Sequence, residues 1–580
     1  MKTMETINNF EHLFCCILKD RTSKQASYLS LPSSASFTGC IKEILYCLSK
    51  ELKGEIKSDH SSILIANFYS WLGSDILIKE YDFLFYSQLL QTLKSYTEGQ
   101  KFSKTEKYAF FEYINKSKEY KYRRKLYDKL IAFHNEGRCD EKAWTVIDCF
   151  ISELLALGVS YSFLRFIEEC YSTGKFESFI NMTDYLFFGN YDSFDIYIPI
   201  EGFEVAKDNE LFQIKKQKIE ELNGRYYCKV YDNKTLDFHF IIKENIIRID
   251  SLFNILRFYN DSKIYFARSA PIIVKSAFLK DTFQISFADV LSYRAKNYGK
   301  KYLKSSVEAL EKIKGLDKES YHRILNVISY AEKDNDAINS SSYVDNWISL
   351  ETLTSMSERK AGYESVNDLV PKMVGAKVFW DNLRCQYYLI NNHLRKIGKA
   401  FANMEDFIKA VNQKSPLFDT IEDAYLRLIV IKLQKMFSSV VTFKNKLESI
   451  ENDLRIDLLR IYILRNEYVH TSNIQAFVSM QPYKLKHILF ASIDEFFKIL
   501  SNRVTKDASE YGVVFDVFSE INNKYDTRNA AFSSLLENKK LLNGNVSLGT
   551  TLEEQKISFE TFVVNVLNCN TSLFRKYDTD

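Results

Sequence analysis

Residues 451–470 read Glu451-Asn452-Asp453-Leu454-Arg455-Ile456-Asp457-Leu458-Leu459-Arg460-Ile461-Tyr462-Ile463-Leu464-Arg465-Asn466-Glu467-Tyr468-Val469-His470. Wound at 3.6 residues per turn, Leu459, Ile463, Asn466 and His470 follow one another at steps of four, three and four and form one stripe. Its first half is apolar and its second half polar, so a buried seam ends in an amide and an imidazole. Arg465 sits one position round, and its long fork can swing over the same surface. Polar groups that leave a core along a seam need partners, and here they can supply each other only in part.

The chain around this helix has 580 residues, too many for one core and enough for three or four domains. Phe and Tyr are abundant (44 and 37) whereas Gly and Pro are scarce (18 and 6), and so few chain breakers favour long helices. The reading is a mostly α fold in four parts: an N-terminal all-α region over 1–178, a small β-rich or α+β domain over 179–286, a helical bundle over 287–505 and a helical extension over 506–580. In the first part Trp144, Ile147, Ile151, Leu154 and Leu155 recur at helical spacing, with Gly158 where a cap belongs. In the second, Phe194–Ile200 alternates. Arg225–Tyr231 and Leu236–Ile242 flank Asp232-Asn233-Lys234 as a hairpin turn. Lys263–Ala267 is a further strand, and Ser251–Tyr259 is a helix if the domain is α+β. Helices are expected over 288–313, 318–334, 341–358, 364–373, 376–397, 404–412, 419–447, 451–470 and 482–503. A capping box at Thr551-Leu552-Glu553-Glu554 is expected to start a last one.

The net charge of +3 gives a weak overall field, so any nucleic-acid contact must come from local patches. Two basic, tyrosine-studded stretches qualify. One runs from Lys116 to Lys129 and includes Arg123 and Arg124; the other runs from Arg294 to Lys304. Each reads either as an RNA contact, pairing phosphate binding with base stacking, or as a solvated helix face. The ten cysteines show no Cys-x-x-Cys spacing and fit reduced thiols, and no metal site or cofactor is expected. No phosphate-binding Gly-rich loop with Lys-Ser/Thr and no Gly-x-Ser-x-Gly elbow occurs. No apolar run reaches about 18 residues, and Glu5, Glu11 and Asp20 interrupt the N-terminus, so the expectation is a cytoplasmic protein with neither membrane contact nor signal peptide.

Arg465, Asn466 and His470 suit cleavage of an RNA phosphodiester. His470 can take the ribose 2′-hydroxyl proton near neutral pH. Arg465 is a permanent planar cation for the non-bridging oxygens. Asn466 can orient the imidazole or donate to the phosphate. A second acid is missing, and a two-fold dimer would bring it. The bland reading of the same residues is a capped helix end with a satisfied histidine.

Leu464-Arg465-Asn466-x-x-x-His470 resembles the signature of HEPN ribonuclease domains. Asp345-Asn346-Trp347-Ile348-Ser349-Leu350-Glu351-Thr352-Leu353 is similar to the aromatic-x-x-Leu-Glu-x-Leu helix of the ApeA-like branch. Lys301-Tyr302-Leu303 to Ala309-Leu310 and Val370-Pro371-Lys372-Met373 also fit that branch. The resemblance covers about 290–505, and only the hexad is sharp. It implies a four- to five-helix bundle, a composite site at a homodimer interface, metal-independent cleavage of RNA (tRNA among its substrates), and a toxin-like role in anti-phage defence by abortive infection. A phage-encoded trigger or an inhibitory partner would then control it. Arg465, Asn466 and His470 carry over as catalytic; Glu351 matches a polar position but is not placed in the site. Rival readings are a non-catalytic helical module that binds RNA or protein, and a structural scaffold.

Overall fold

A computed structural model describes residues 9–567, apart from internal stretches of which 203–217, 292–302, 333–339, 472–480, 505–512 and 548–555 are the longer ones. The described chain is mostly helical, with a small six-stranded antiparallel sheet; the expected helical extension also holds three short antiparallel strands at Leu541–Leu542, Asn545–Ser547 and Lys556–Ser558. Helices α1 (Asn9–Thr22), α2 (Phe37–Leu52), α3 (Asp59–Ser74), α4 (Ile76–Tyr81), α5 (Phe83–Thr97), α6 (Lys104–Asn135), α7 (Glu141–Ala156), α8 (Tyr161–Ser172) and α9 (Phe179–Phe188) come first. α7 has the expected apolar stripe: Trp144, Ile147, Ile151, Leu154 and Leu155 are all buried. Asp140 caps its start through the Ala143 amide, and Gly158 follows its end at φ +93°.

The sheet is built from β1 (Asp192–Glu201), β2 (Lys218–Leu222) and β3 (Arg225–Thr235), with β4 (Tyr265–Phe266), β5 (Ile272–Ser276) and β6 (Asp281–Ile285) after the helix α10 (Phe238–Asn260). The strand order is β2-β3-β1-β5-β6, with β4 paired to β1 and every pairing antiparallel. Phe194, Ile196, Ile198 and Ile200 alternate toward the core, as strand periodicity requires. The expected hairpin at Asp232-Asn233-Lys234 is not there. β3 runs straight through these residues, and Phe238–Ile242 open α10 instead of forming a strand. Asp237 decides this: its carboxylate accepts from the Phe240 and Ser160 amides, which makes it a helix cap. The hairpin turn is instead Asn223-Gly224, at φ +52° and +75°, between β2 and β3. That pair is the strongest short hairpin signal, because both positions need positive φ.

The remaining helices are α11 (Phe287–Leu291), α12 (Leu303–Leu316), α13 (Lys318–Glu332), α14 (Ser340–Ser355), α15 (Tyr363–Lys396), α16 (Met404–Asn412), α17 (Ala424–Met436), α18 (Val440–Thr471), α19 (Gln481–Val504), α20 (Val513–Glu537) and α21 (Phe559–Leu567). The middle of the expected helix 288–313 lies outside the described residues, and two other boundaries differ from expectation. The segments 364–373 and 376–397 are one helix that passes through Pro371, where Val370, Pro371, Met373 and Val374 are all buried. Burial on this scale outweighs the local cost of proline. The segment 419–447 breaks near Phe437 rather than near 450, so the helix with the quoted stretch begins at Val440. The reason is local: the Ser439 hydroxyl accepts from the Thr442 amide, and the Thr442 hydroxyl accepts from the Ser439 amide, closing a new N-terminus. The expected capping box at 551–554 lies outside the described residues.

α14, α15, α18 and α19 pack on one another, with α12 and α13 beside them and α20 across α15, α18 and α19. The N-terminal helices seat on this group. α1 packs on α17, α3 on α18, and the short 3-10 turn Tyr28–Ser30 on α15 and α19. One continuous cluster of buried apolar side chains runs from Phe10 to Leu567. No described helix is long and apolar enough to cross a membrane.

Candidate functional site

Along α18 the chemistry changes in two steps. Midway, Asp457 and Arg460 are buried on a helix that is otherwise apolar there. The Asp457 carboxylate accepts from the Tyr28 hydroxyl (2.6 Å), the Lys484 ammonium (2.7 Å) and Arg460 Nη1 (3.1 Å). Arg460 also donates Nε to Glu43 (2.9 Å) and Nη2 to Asn67 (3.3 Å). Burial raises the Asp457 pKa, but Lys484 and Arg460 outweigh it and hold the carboxyl below its usual value. This network ties α2, α3 and the Tyr28 turn to α18 and α19. Sequence reasoning passed over it. The signal was present as Asp457 and Arg460, an (i, i+3) pair on an apolar helix.

Farther along lie the hexad residues. Arg465 is part-buried, its side chain 27 % exposed. Its Nη1 donates to Asn466 Oδ1 at 3.0 Å, and its Nη2 lies 3.9 Å from Glu351 Oε2, an ion pair longer than a hydrogen bond. Its Nε is buried and has no hydrogen-bond partner among the described residues. Asn466 therefore orients the guanidinium. Leu459 and Ile463 are buried, as the stripe predicts. His470 lies in the last turn of α18, four residues beyond Asn466 and on the same stripe; its side chain is outside the described residues.

Glu351 is where the structure adds a residue to the site. Trp347, Leu350 and Leu353 are buried on α14, which turns Glu351 toward α18 and Arg465. The aromatic-x-x-Leu-Glu-x-Leu pattern is thus a packing face plus one carboxylate beside it. Tyr343, one turn earlier, donates its hydroxyl to the Ile461 carbonyl at 2.9 Å and fixes the register of α14 on α18. Tyr462, one turn before Arg465, stacks on Tyr363 with centroids 4.6 Å apart. The His60 ring of α3 stands edge-on to both tyrosines. The N-terminal helices therefore reach to within a turn of the hexad.

Of the two basic stretches, the first forms the outer face of α6, and intramolecular ion pairs occupy much of it. Lys116 pairs with Glu112, Lys118 with Asp82, Arg123 with Glu119, Arg124 with Asp128 and Lys129 with Glu80. This matches a solvated, self-paired helix face better than an open phosphate track. The second stretch lies almost wholly outside the described residues. Among the described residues no group of three His, Cys, Asp or Glu side chains is placed to hold a metal ion. No family model, no curated protein and no solved structure matches the chain.

Proposed function

We propose that the chain is a metal-independent endoribonuclease, with Arg465, Asn466 and His470 as catalytic residues and a second copy of the chain completing the site. The observation that carries this reading is the state of Arg465. It is held from two sides by Asn466 and Glu351, yet it is part-exposed and keeps donor capacity unused. Arg460, by contrast, donates from all three of its nitrogens. A guanidinium that is oriented but incompletely paired is ready for a phosphate.

In the reaction, His470 of one protomer removes the ribose 2′-hydroxyl proton. The 2′-oxygen attacks phosphorus, and Arg465 neutralises the charge gathering on the non-bridging oxygens. The P–O5′ bond breaks and the leaving 5′-oxygen takes a proton from the second, protonated imidazole across the dimer axis. The products are a 2′,3′-cyclic phosphate and a 5′-hydroxyl. Glu351 keeps the guanidinium in place between turnovers. The HEPN resemblance supports this chemistry, and with it tRNA as a substrate and a suicide role in anti-phage defence. A role of that kind requires a brake, and the N-terminal helices, of which α2 and α3 touch α18, are the candidates to supply one.

The test is incubation of purified protein with RNA in excess EDTA. Cleavage to cyclic-phosphate ends is expected, and His470→Ala should slow it by about 10²–10⁴-fold while the protein stays folded. Unchanged RNA lengths with wild-type protein would favour the non-catalytic binding module instead.

A further inference from the structure

Between the N-terminal helices and α15, α17 and α18 lies an open cleft of about 520 Å3, within the range of small-molecule sites. Its floor is the buried Asp457–Arg460–Lys484 network. One wall is apolar and includes Phe379, Ile429 and Leu433. On the same helix as Ile429 and Leu433, Tyr425 stacks on Trp144, 5.3 Å apart and nearly parallel. The Lys432 ammonium sits 3.4 Å above the Trp144 ring.

Most charges in the cleft are already answered. Arg21 forks onto Asp148 (3.0 and 2.9 Å) and donates to the Leu29 and Ser30 carbonyls (3.2 and 3.0 Å). Lys484 and Arg460 are held on Asp457. Lys432 and Lys446 are different: among the described residues neither ammonium has a carboxylate within 4.0 Å. Asp453, the acid that interacts with Lys446, has its carboxyl pushed up by burial and by Asp457. Lys432 faces the cleft and not a packed core, yet the surrounding helices still desolvate it. That effect, opposed by Asp148 and Glu141 and aided by Arg21 and Lys446, brings its ammonium down to about 7. Amides also line the cleft, at Asn67, Asn382 and Gln386. The Gln386 side chain makes no hydrogen bond among the described residues, so it can meet donors and acceptors on a ligand.

We propose that this cleft binds a small organic phosphate of nucleotide size, with its phosphate held by Lys432 and Lys446, its organic part against Phe379, Ile429 and Leu433, and a base edge toward Gln386. The site is separate from the hexad, and the proposal does not rest on the ribonuclease reading. An arriving phosphate restores the full charge of Lys432, so binding takes up a proton and weakens as pH rises through about 7. The other titratable groups around it are Arg21 and Asp20 of α1, Tyr28, Glu141 and Asp148 of α7, Cys385 of α15, Tyr425 of α17, Lys446, Asp453, Asp457 and Arg460 of α18, and Lys484 of α19.

Isothermal titration calorimetry on the full chain tests this, with adenosine and guanosine 5′-mono- and triphosphates, the free nucleosides, inorganic pyrophosphate and a short RNA oligonucleotide as probes. The expected result is saturable binding of a nucleoside phosphate, tighter at pH 6.5 than at pH 8 and at least about tenfold tighter than its free nucleoside. Lys432→Met and Lys446→Met should each weaken it by about tenfold or more. Lys446→Met, at the exposed rim, settles the matter if Lys432→Met fails to fold. The proposal is overturned if no nucleoside phosphate binds, if the lysine variants bind as wild type does, if pyrophosphate binds as tightly as the nucleotide, or if only the RNA binds.

Discussion

Two stretches of α18, less than three turns apart, treat a buried-helix arginine in opposite ways. At Arg460 the donors go to Glu43, Asp457 and Asn67, and the neighbouring Asp457 is met by three donors. At Arg465 one donor goes to Asn466, one approaches Glu351 without reaching hydrogen-bonding distance, and Nε has no partner among the described residues. A saturated network fixes how elements dock, and its charges cannot leave it without a large cost. An oriented but under-satisfied cation holds its geometry and keeps part of its bonding capacity for a ligand. The same residue type thus serves architecture at Arg460 and, on the proposed reading, chemistry at Arg465.

The sharpest way to break this contrast is to remove Asp457. Asp457→Ala leaves Lys484 and Arg460 buried beside Glu43 alone, and should destabilise the fold by about 3–5 kcal/mol, read by denaturant or thermal unfolding. Arg465→Ala should do the reverse. Its stability should stay within about 1 kcal/mol of wild type, whereas RNA cleavage should fall by about 10²–10³-fold. Equal loss of stability in the two variants would erase the distinction.

Histidine extends the comparison to pH. His487 on α19 is buried to 1 % exposure, and desolvation pulls its pKa down to about 4. Its folded-state pKa lies below the unfolded value near 6.5. The stability it supports is therefore complete above pH 6.5 and lost as pH falls toward 4, at up to about 1.4 kcal/mol per pH unit. His239, pulled down to about 3 by burial, adds to the same acid limb. His487→Gln should flatten that limb in unfolding measurements and leave the pH profile of RNA cleavage unmoved. A shifted cleavage profile would mean that the proton carrier has been misassigned. The smallest effect is expected from Glu351→Gln: a stability change below about 1 kcal/mol and cleavage slowed by less than about fivefold, since the pair is long and partly exposed.

Much of the helical frame was legible because it rests on periodicity. α13, α14, α16 and α19 stand within a few residues of their expected bounds, and α7 carries its expected stripe. The misreadings came where one side chain decided the backbone. Asp237 turns an apolar, strand-like run into a helix, and Ser439 with Thr442 starts α18 eleven residues early. Asn223-Gly224 carries the hairpin signal, whereas the polar triplet at 232–234 lies within β3. In the candidate site, Arg465 and Asn466 were readable from local spacing. Glu351 was not, because only the docking of α14 on α18 brings it to the guanidinium. The Asp457 network draws on Tyr28, Glu43, Asn67 and Lys484, far apart along the chain, and no local pattern could have assembled it.

The central claim is that two copies of one Arg-Asn-x-x-x-His helix make one ribonuclease. It is tested most directly by the per-chain rate of RNA cleavage in excess EDTA, measured as the protein is diluted and paired with its sedimentation behaviour at each concentration. The account predicts cyclic-phosphate ends at every active concentration and a rate per chain that collapses as dimers part. A rate per chain that holds steady on a proven monomer, or that appears only with a divalent ion, would contradict it.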